Sequence, residues 1–272
     1  MKQILTLTTF FFFTHTFAQL DNRSQPDSFY QSRKVKRIYA FLNSKKDLSE
    51  TIEFDRDGRK TRSVKYSASY DRKTRTRKKI DLISSFKYDS QLKLTQIIDS
   101  VIYWDNSRRV NNQFFYYNTN GFLDTVKYYE APFKTPVSET YYYESPFRST
   151  TVRRNDTLTL YCKTKEYEKG FYVNKFYGYY YEAKLKSGVN IHKGDTSRYQ
   201  YSDYSDMQRF EDTETIKNTF NSKGQLIISD INSVFMNNRT SKYKLNYKYY
   251  SNGLLESIRG YVPEYFKYEF YD

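Results

Sequence analysis

The chain has 272 residues, which is long enough for one large domain or two small ones. Aromatic residues make up 19% of it, and this much aromatic surface can form a core, which excludes a globally disordered chain. Two histidines and one cysteine leave little material for a metal site and none for an internal disulfide. The net charge of +14 permits binding to anionic partners.

The N-terminus has the pattern of a secretory signal peptide. Lys2 is followed by an apolar stretch at residues 4–13, and small residues lie three positions and one position before Gln19. The stretch is about half as long as a membrane-spanning helix requires. We therefore predict a signal peptide over residues 1–18 and an exported protein, located in the periplasm, on the outer-membrane surface or outside the cell.

The rest of the chain is predicted to contain no transmembrane helix and to begin with a flexible leader over residues 19–32, which are polar. An alternating pattern then recurs; in residues 242–249, tyrosine and leucine occupy one parity and lysine and asparagine the other. A strand places these two sets on opposite faces, whereas a helix would scatter them. We predict a single β-repeat domain over residues 33–272.

Positive charge is densest in residues 71–79. The candidate anion-binding residues there are Arg72, Lys73, Arg75, Arg77, Lys78 and Lys79. Such a patch would bind phosphate-rich glycolipid, acidic polysaccharide or released nucleic acid, with an affinity that falls steeply with salt. The alternative interpretation is a solvated hairpin tip or sheet edge, where cations discourage aggregation.

A spaced motif punctuates the strands: an aromatic residue, three turn-type residues, a glycine, and an apolar residue two positions later. Its five copies begin at Phe54, Tyr88, Tyr117, Phe220 and Tyr249. Four copies carry the glycine, at Gly58, Gly121, Gly224 and Gly253. Asp, Asn or Ser can cap a type I turn, and glycine takes the left-handed position that follows. We predict that these four glycines form structural turns.

Neighbouring copies of the motif are about 30 residues apart, except across the gap between the third and fourth copies. This distance holds two strands of roughly ten residues and two turns, so the repeat unit is a hairpin. Consecutive hairpins pair most simply with their neighbours. The predicted fold is all-β, an up-and-down antiparallel meander of repeated long hairpins that forms an open, twisted, largely single-layer sheet.

The pattern Tyr-x-x-x-Gly-x-Leu-x-x-Ile, with Asp or Asn after the aromatic residue, resembles the tyrosine–aspartate (YD) repeat of Rhs-type bacterial sheet proteins. It is also similar to repeat-bearing secreted proteins of unknown function. The resemblance covers the five copies in residues 54–258 and implies a curling β-sheet strip. Long arrays in that family enclose a toxic domain. The copies here are too few for such a shell, so we expect no encapsulating role.

Aromatic residues are densest in residues 171–181. Tyr172, Tyr177, Tyr179 and Tyr181 are candidates for a stacking platform, since flat aromatic faces suit both sugar rings and bases. The alternative is ordinary sheet packing, with alternate aromatic side chains buried on each face.

Catalytic chemistry has little support in the sequence. His192 is the one histidine after residue 18, Cys162 is the one cysteine, and neither belongs to a cluster with catalytic or metal-ligand spacing. We therefore expect no catalytic residue, no metal and no cofactor. Paired carboxylates of the glycosidase kind stay open, because their separation cannot be read from a sequence.

Together these features favour a secreted or cell-envelope β-repeat protein that acts as a binding or structural module. The expected partners are an anionic envelope glycolipid or polysaccharide, or another protein, and nucleic acid is not expected. Two alternatives stay open, an outer-membrane β-barrel and a carbohydrate-active enzyme that uses paired carboxylates. Tyrosines in place of an aliphatic lipid-facing band disfavour the first of these.

Overall fold

The structure is a computed structural model. It describes residues 25–67, 70–71, 73, 76–77, 79–103, 105–132, 134–143, 148–153, 156–182, 189–192, 195–198, 208–235 and 238–272. The predicted signal peptide over residues 1–18 lies outside the described residues.

The described residues form one short helix and twenty strands. The helix, α1, spans Asp27–Ser32. The strands are β1 (Val35–Leu42), β2 (Leu48–Phe54), β3 (Lys60–Tyr66), β4 (Tyr70–Asp71), β5 (Thr76–Arg77), β6 (Ile80–Tyr88), β7 (Leu94–Ile102), β8 (Arg108–Tyr117), β9 (Leu123–Glu130), β10 (Ser138–Tyr143), β11 (Arg148–Arg153), β12 (Asp156–Glu168), β13 (Phe171–Glu182), β14 (Val189–His192), β15 (Asp195–Arg198), β16 (Gln208–Phe220), β17 (Leu226–Val234), β18 (Thr240–Tyr249), β19 (Leu255–Arg259) and β20 (Glu264–Phe270).

Sixteen of these strands form one antiparallel sheet in which each strand pairs with the next one along the chain. The other four form two separate hairpins, β4 with β5 and β14 with β15. Side chains alternate as the sequence predicts: in β18, Lys242 and Lys244 are exposed, whereas Tyr247 on the other parity is buried. The prediction of an all-β, up-and-down antiparallel meander is confirmed.

The first and last strands of this sheet also pair with each other. β1 and β20 run antiparallel with Ile38 opposite Tyr268, so each of the sixteen strands has a neighbour on both sides. On the opposite face, Arg37 makes ion pairs with Glu53 of β2 at 3.1 Å and with Glu269 of β20 at 3.0 Å. An open sheet would leave β1 and β20 with unpaired edges, so this contact differs from the sequence-based expectation. The reason is that alternation and turn signals are local, whereas Arg37 and Glu269 are 232 residues apart.

The motif copies form turns of one kind. Asn118, which follows the aromatic residue of its copy, accepts hydrogen bonds at 3.0 Å from the backbone N–H groups of Asn120 and Phe122. Three other copies repeat this pair of bonds, through Asp55, Asp89 and Asn221. The carboxylate or amide oxygen at this position satisfies donors that the turn itself leaves unpaired, which explains why four of the five copies have Asp or Asn there.

The fifth residue of each copy adopts the left-handed backbone conformation. Gly58, Gly121, Gly224 and Gly253 lie in turns between paired strands with φ of 75° to 84°. Leu92 takes the same position at φ 64° in the copy without a glycine. A side chain in this conformation costs about 1–2 kcal/mol, so the Leu92 turn carries strain that the glycine turns avoid.

Tyrosine hydroxyls connect consecutive turns along the sheet. Tyr117, the last residue of β8, donates a hydrogen bond of 2.9 Å to the carbonyl of Leu94, the first residue of β7. The same link joins the last residue of one strand to the first residue of its neighbour at Tyr88 and Lys60, and at Tyr249 and Leu226. Burial raises the pKa of Tyr249 to about 12, so its hydroxyl stays protonated and able to donate.

A cluster of buried hydrophobic residues lies where α1 meets the sheet. Tyr30 of α1 is only 2% exposed, and its ring centroid lies 4.3 Å from that of Phe54. Around it pack buried residues of the strands near both chain ends, among them Ile38, Leu226 and Phe266. The prediction of a flexible leader over residues 19–32 is therefore wrong for α1. The segment is mostly polar, but its Tyr30 completes a core formed by strands that are distant in the sequence.

The different surroundings of two turn glycines give a test of the turn geometry. A Cβ atom on Gly58 would lie 2.0 Å from the carbonyl oxygen of Asp27 in α1, whereas one on Gly224 would meet nothing within 4 Å. Gly224→Ala should lower the free energy of unfolding by about 1–2 kcal/mol, the cost of the left-handed conformation alone. Gly58→Ala should lower it by clearly more, because α1 must also move. Urea unfolding of both variants checks this, and equal losses would contradict the described contact between α1 and the turn.

Candidate functional site

The basic segment at residues 71–79 is only partly described. Its described part forms the β4–β5 hairpin, which contains Arg77, while Lys73 in the turn and Lys79 after the hairpin are exposed. The other candidates lie outside the described residues: Arg72, Arg75 and Lys78. The hairpin agrees with the interpretation of this segment as a solvated tip, and a joint anion site among the six residues stays a prediction.

The positions proposed as a stacking platform fall on two faces of one strand. All four belong to β13, whose pairing with β12 and β16 has no register shift between Tyr172 and Tyr181. Because successive residues of a strand alternate between faces, the position of Tyr172 is opposite to those of Tyr177, Tyr179 and Tyr181. The four positions therefore do not form a single platform.

A cleft of about 530 Å³ lies across three neighbouring strands, β16, β17 and β18. Two cross-strand rows of residues line it, Thr215–Asn232–Lys242 and Lys217–Asp230–Lys244. The members of each row face one another in the strand register, so they share one face of the sheet. Ile231 and Tyr243, at strand positions that face the opposite side of the sheet, complete the lining between the two rows. We call this surface, defined by these eight residues, the cationic groove.

The charges in the cationic groove are unbalanced. Lys217, Lys242 and Lys244 are exposed, and the single carboxylate of the lining, Asp230, lies 3.2 Å from the Lys244 ammonium. Within the described residues, Lys217 and Lys242 have no carboxylate within 4 Å. By contrast, Arg37 of β1 is paired with two carboxylates, those of Glu53 and Glu269. The groove therefore has a positive field that the neighbouring protein does not neutralise.

A buried hydrogen-bond acceptor also belongs to the groove. The Oδ1 atom of Asn232 is inaccessible to solvent and has no hydrogen-bond partner in the described structure. Such atoms are rare in folded proteins, because an unpaired buried polar atom costs about 1–3 kcal/mol. Asn232 lies between Thr215 and Lys242 in the register, so its amide is central to the row.

An aromatic pair borders the groove on the side of β13. Phe171 pairs with Lys217 in the register, and the Lys217 ammonium lies 5.0 Å from the centroid of the Phe171 ring. Tyr167, at the end of β12, packs against Phe171 with a centroid distance of 5.5 Å and is 57% exposed. Lys217 thus lies over Phe171 and lines the groove at the same time.

A second cleft, of about 400 Å³, lies between α1 and the turns that contain Gly224 and Gly253. Its arginine, Arg33, is already engaged, because the guanidinium stacks 3.9 Å from the centroid of the Phe29 ring and donates to the Phe29 carbonyl. The cationic groove has the more available charge and is therefore the candidate functional site.

The opposite face of the same strands carries a half-buried acid. Glu214 of β16 accepts a hydrogen bond of 3.3 Å from the Asn174 amide, which is 2% exposed. Burial raises the pKa of Glu214, and hydrogen bonds from Asn174 and Ser233 offset the shift only in part. The surroundings of Glu214, on the face opposite the groove, therefore disfavour its ionised form.

Other site chemistry is sparse in the part of the chain that the structure describes. No group of three or more His, Cys, Asp or Glu side chains there could hold a metal ion. His192 lies in β14 and Cys162 in β12. No described helix has the length and apolar character needed to cross a membrane. Neither a protein-family model nor a curated protein matches the chain, so the YD-repeat resemblance stays a prediction.

Sequence reasoning misses the cationic groove although it detects part of its pattern. The alternation in residues 242–249 places Lys242 and Lys244 on one face of a strand. It does not show which residues face them from β16 and β17. The register brings Lys217 and Asn232 to the same surface as Lys242, although they precede it by 25 and 10 residues in the sequence. No local sequence signal identifies them.

The raised pKa of Glu214 predicts a pH dependence of stability. A carboxyl group whose pKa is higher in the folded state binds its proton more tightly when folded, so stability falls as pH rises from its ordinary pKa of 4.5 through the raised value. Glu214→Gln removes this contribution. The variant should therefore gain stability relative to the parent as pH rises, which urea unfolding between about pH 4 and pH 8 would measure. The control, Glu168→Gln, removes an exposed carboxylate. An identical pH profile for parent and Glu214→Gln would contradict the burial of this group.

Proposed function

We propose that this protein is an exported binding module of the cell envelope without catalytic activity, and that the cationic groove binds an anionic envelope polymer or glycolipid. The observation that carries the proposal is the pair of cross-strand rows, which gathers three exposed lysines around one aspartate. Export rests on the signal-peptide pattern of residues 1–18.

The arrangement of the lysines favours an extended ligand. Lys242 and Lys244 are two residues apart on one strand, which corresponds to about 7 Å, and Lys217 is two strands away from Lys244, which corresponds to about 10 Å. These are backbone spacings, so the three ammonium groups are anchored at points spread over several ångströms of the sheet. They suit a ligand with several negative charges along its length.

The structure around the groove supports a binding role over a purely architectural one. Where charged side chains hold strands together, as Arg37 does with Glu53 and Glu269, they occur in opposite-charge pairs. Lys217 and Lys242 have no carboxylate within 4 Å among the described residues, although Lys217 faces Asp230 in the register. Their positive charge is therefore available to a ligand.

A triple substitution in the groove tests the proposal. The variant Lys217→Gln, Lys242→Gln, Lys244→Gln should lower the affinity for polygalacturonate and for linear polyphosphate by at least about tenfold at about 0.02 M salt, because each exposed ion pair contributes up to about 1 kcal/mol. The parent should itself lose most of this affinity at about 0.5 M salt, where screening is strong. Fluorescence anisotropy with labelled polymers measures both effects.

The matched control removes the same number of charges elsewhere. Lys46, Lys87 and Lys134 are exposed and lie outside the groove. Their joint replacement by Gln should leave affinity within about twofold of the parent value. Equal losses in the two triple variants would show that net charge alone attracts the polymers, and binding by the groove variant at the parent's affinity would refute the proposed function.

A further inference from the structure

The exposed aromatic ring beside the groove has a cation over it. The Lys165 ammonium lies 4.5 Å from the centroid of the Tyr167 ring, and that ring packs against Phe171. Lys217 contacts Phe171 in the same way from the groove side. Two lysines and two rings therefore alternate along the border of the groove. An anionic sugar suits this arrangement, since its apolar C–H face can stack on a ring while its carboxylate meets an ammonium.

The groove also contains an accessible acceptor. The Asp230 side chain is 52% exposed, and its carboxylate has one cationic partner, Lys244. A ligand built only of phosphate or carboxylate groups would bring a like charge to this carboxylate and no donor for it. Hydroxyl groups donate hydrogen bonds, so a ligand that carries hydroxyls as well as negative charge satisfies the groove more completely.

Resting on the proposed function, we infer that the ligand of the cationic groove is an acidic polysaccharide made of pyranose units that carry carboxylates. Tyr167 stacks on a sugar ring, and Lys165, Lys217 and Lys242 pair with the carboxylates. The cleft volume of about 530 Å³ falls within the about 300–1,000 Å³ that is usual for small-molecule sites, so it accommodates a short stretch of such a chain.

The test compares three polymers on the purified full-length chain. Polygalacturonate carries both the sugar ring and the carboxylate, its methyl ester keeps the ring and loses the charge, and linear polyphosphate keeps charge without rings or C–H faces. The parent should bind polygalacturonate more tightly than either of the others. Tyr167→Ala should lower the affinity for polygalacturonate by about fivefold or more and leave that for polyphosphate within about twofold.

Two further variants keep the result interpretable. Tyr167→Phe retains the ring and should bind polygalacturonate as the parent does. Tyr116→Ala removes another tyrosine that is 45% exposed and has a lysine over its ring, Lys127 at 5.9 Å, but lies on β8, away from the groove. It should leave all affinities unchanged.

The inference would be overturned if Tyr167→Ala bound polygalacturonate as tightly as the parent, or if it lost the same affinity for polyphosphate. It would also be overturned if the parent preferred polyphosphate. These outcomes leave the proposed function standing as long as the triple lysine variant loses binding. If the triple variant binds both charged polymers as the parent does, the proposed function fails, and the inference fails with it.

Discussion

The hydrogen bond from a tyrosine hydroxyl to a backbone carbonyl of the neighbouring strand is the interaction on which the rest of this sheet depends. A sheet that is mostly one layer thick has little core to fix where each hairpin lies relative to the one before it. Tyr88, Tyr117 and Tyr249 hold adjacent hairpins in position. Each is the last residue of a strand before a turn, and its hydroxyl donates to the backbone carbonyl of the first residue of the adjacent strand. These hydrogen bonds keep neighbouring turns aligned, and the alignment sets the strand register. That register places the two rows of the cationic groove side by side.

Cationic side chains take part in the burial of the aromatic surface. Ammonium groups lie over the rings of Tyr117, Tyr116 and Phe41 at 5.3–5.9 Å, from Lys93, Lys127 and Lys267. The stems of these long side chains cover apolar area while the charged ends remain in water. The basic composition and the tyrosine content of the chain therefore serve the same sheet. Lys217 of the groove follows the same pattern, since its ammonium lies 5.0 Å from the centroid of the Phe171 ring.

Much of the fold could be predicted from the sequence, because its signals are local. Alternation in residues 242–249 identifies a strand and its two faces, and the left-handed conformation at Gly224 follows from the motif. The contact between β1 and β20, the burial of Tyr30 and the joining of Lys217 to Lys242 could not be predicted. Each is a contact between segments that are distant in the sequence, and no local pattern in either segment indicates the other. The candidate site is one of the features that could not be predicted, because it forms only in the assembled sheet.

The most direct measurement of the central claim compares Tyr117→Phe with Tyr116→Phe by urea unfolding. The two residues are adjacent, both substitutions remove only a hydroxyl, and only that of Tyr117 donates to a backbone carbonyl, the one of Leu94 at 2.9 Å. Tyr117→Phe should lower the free energy of unfolding by about 1 kcal/mol or more, because it leaves that carbonyl without its partner. Tyr116→Phe, at a ring that is 45% exposed, should change it by less than about 0.5 kcal/mol. Equal effects of the two substitutions would contradict the account.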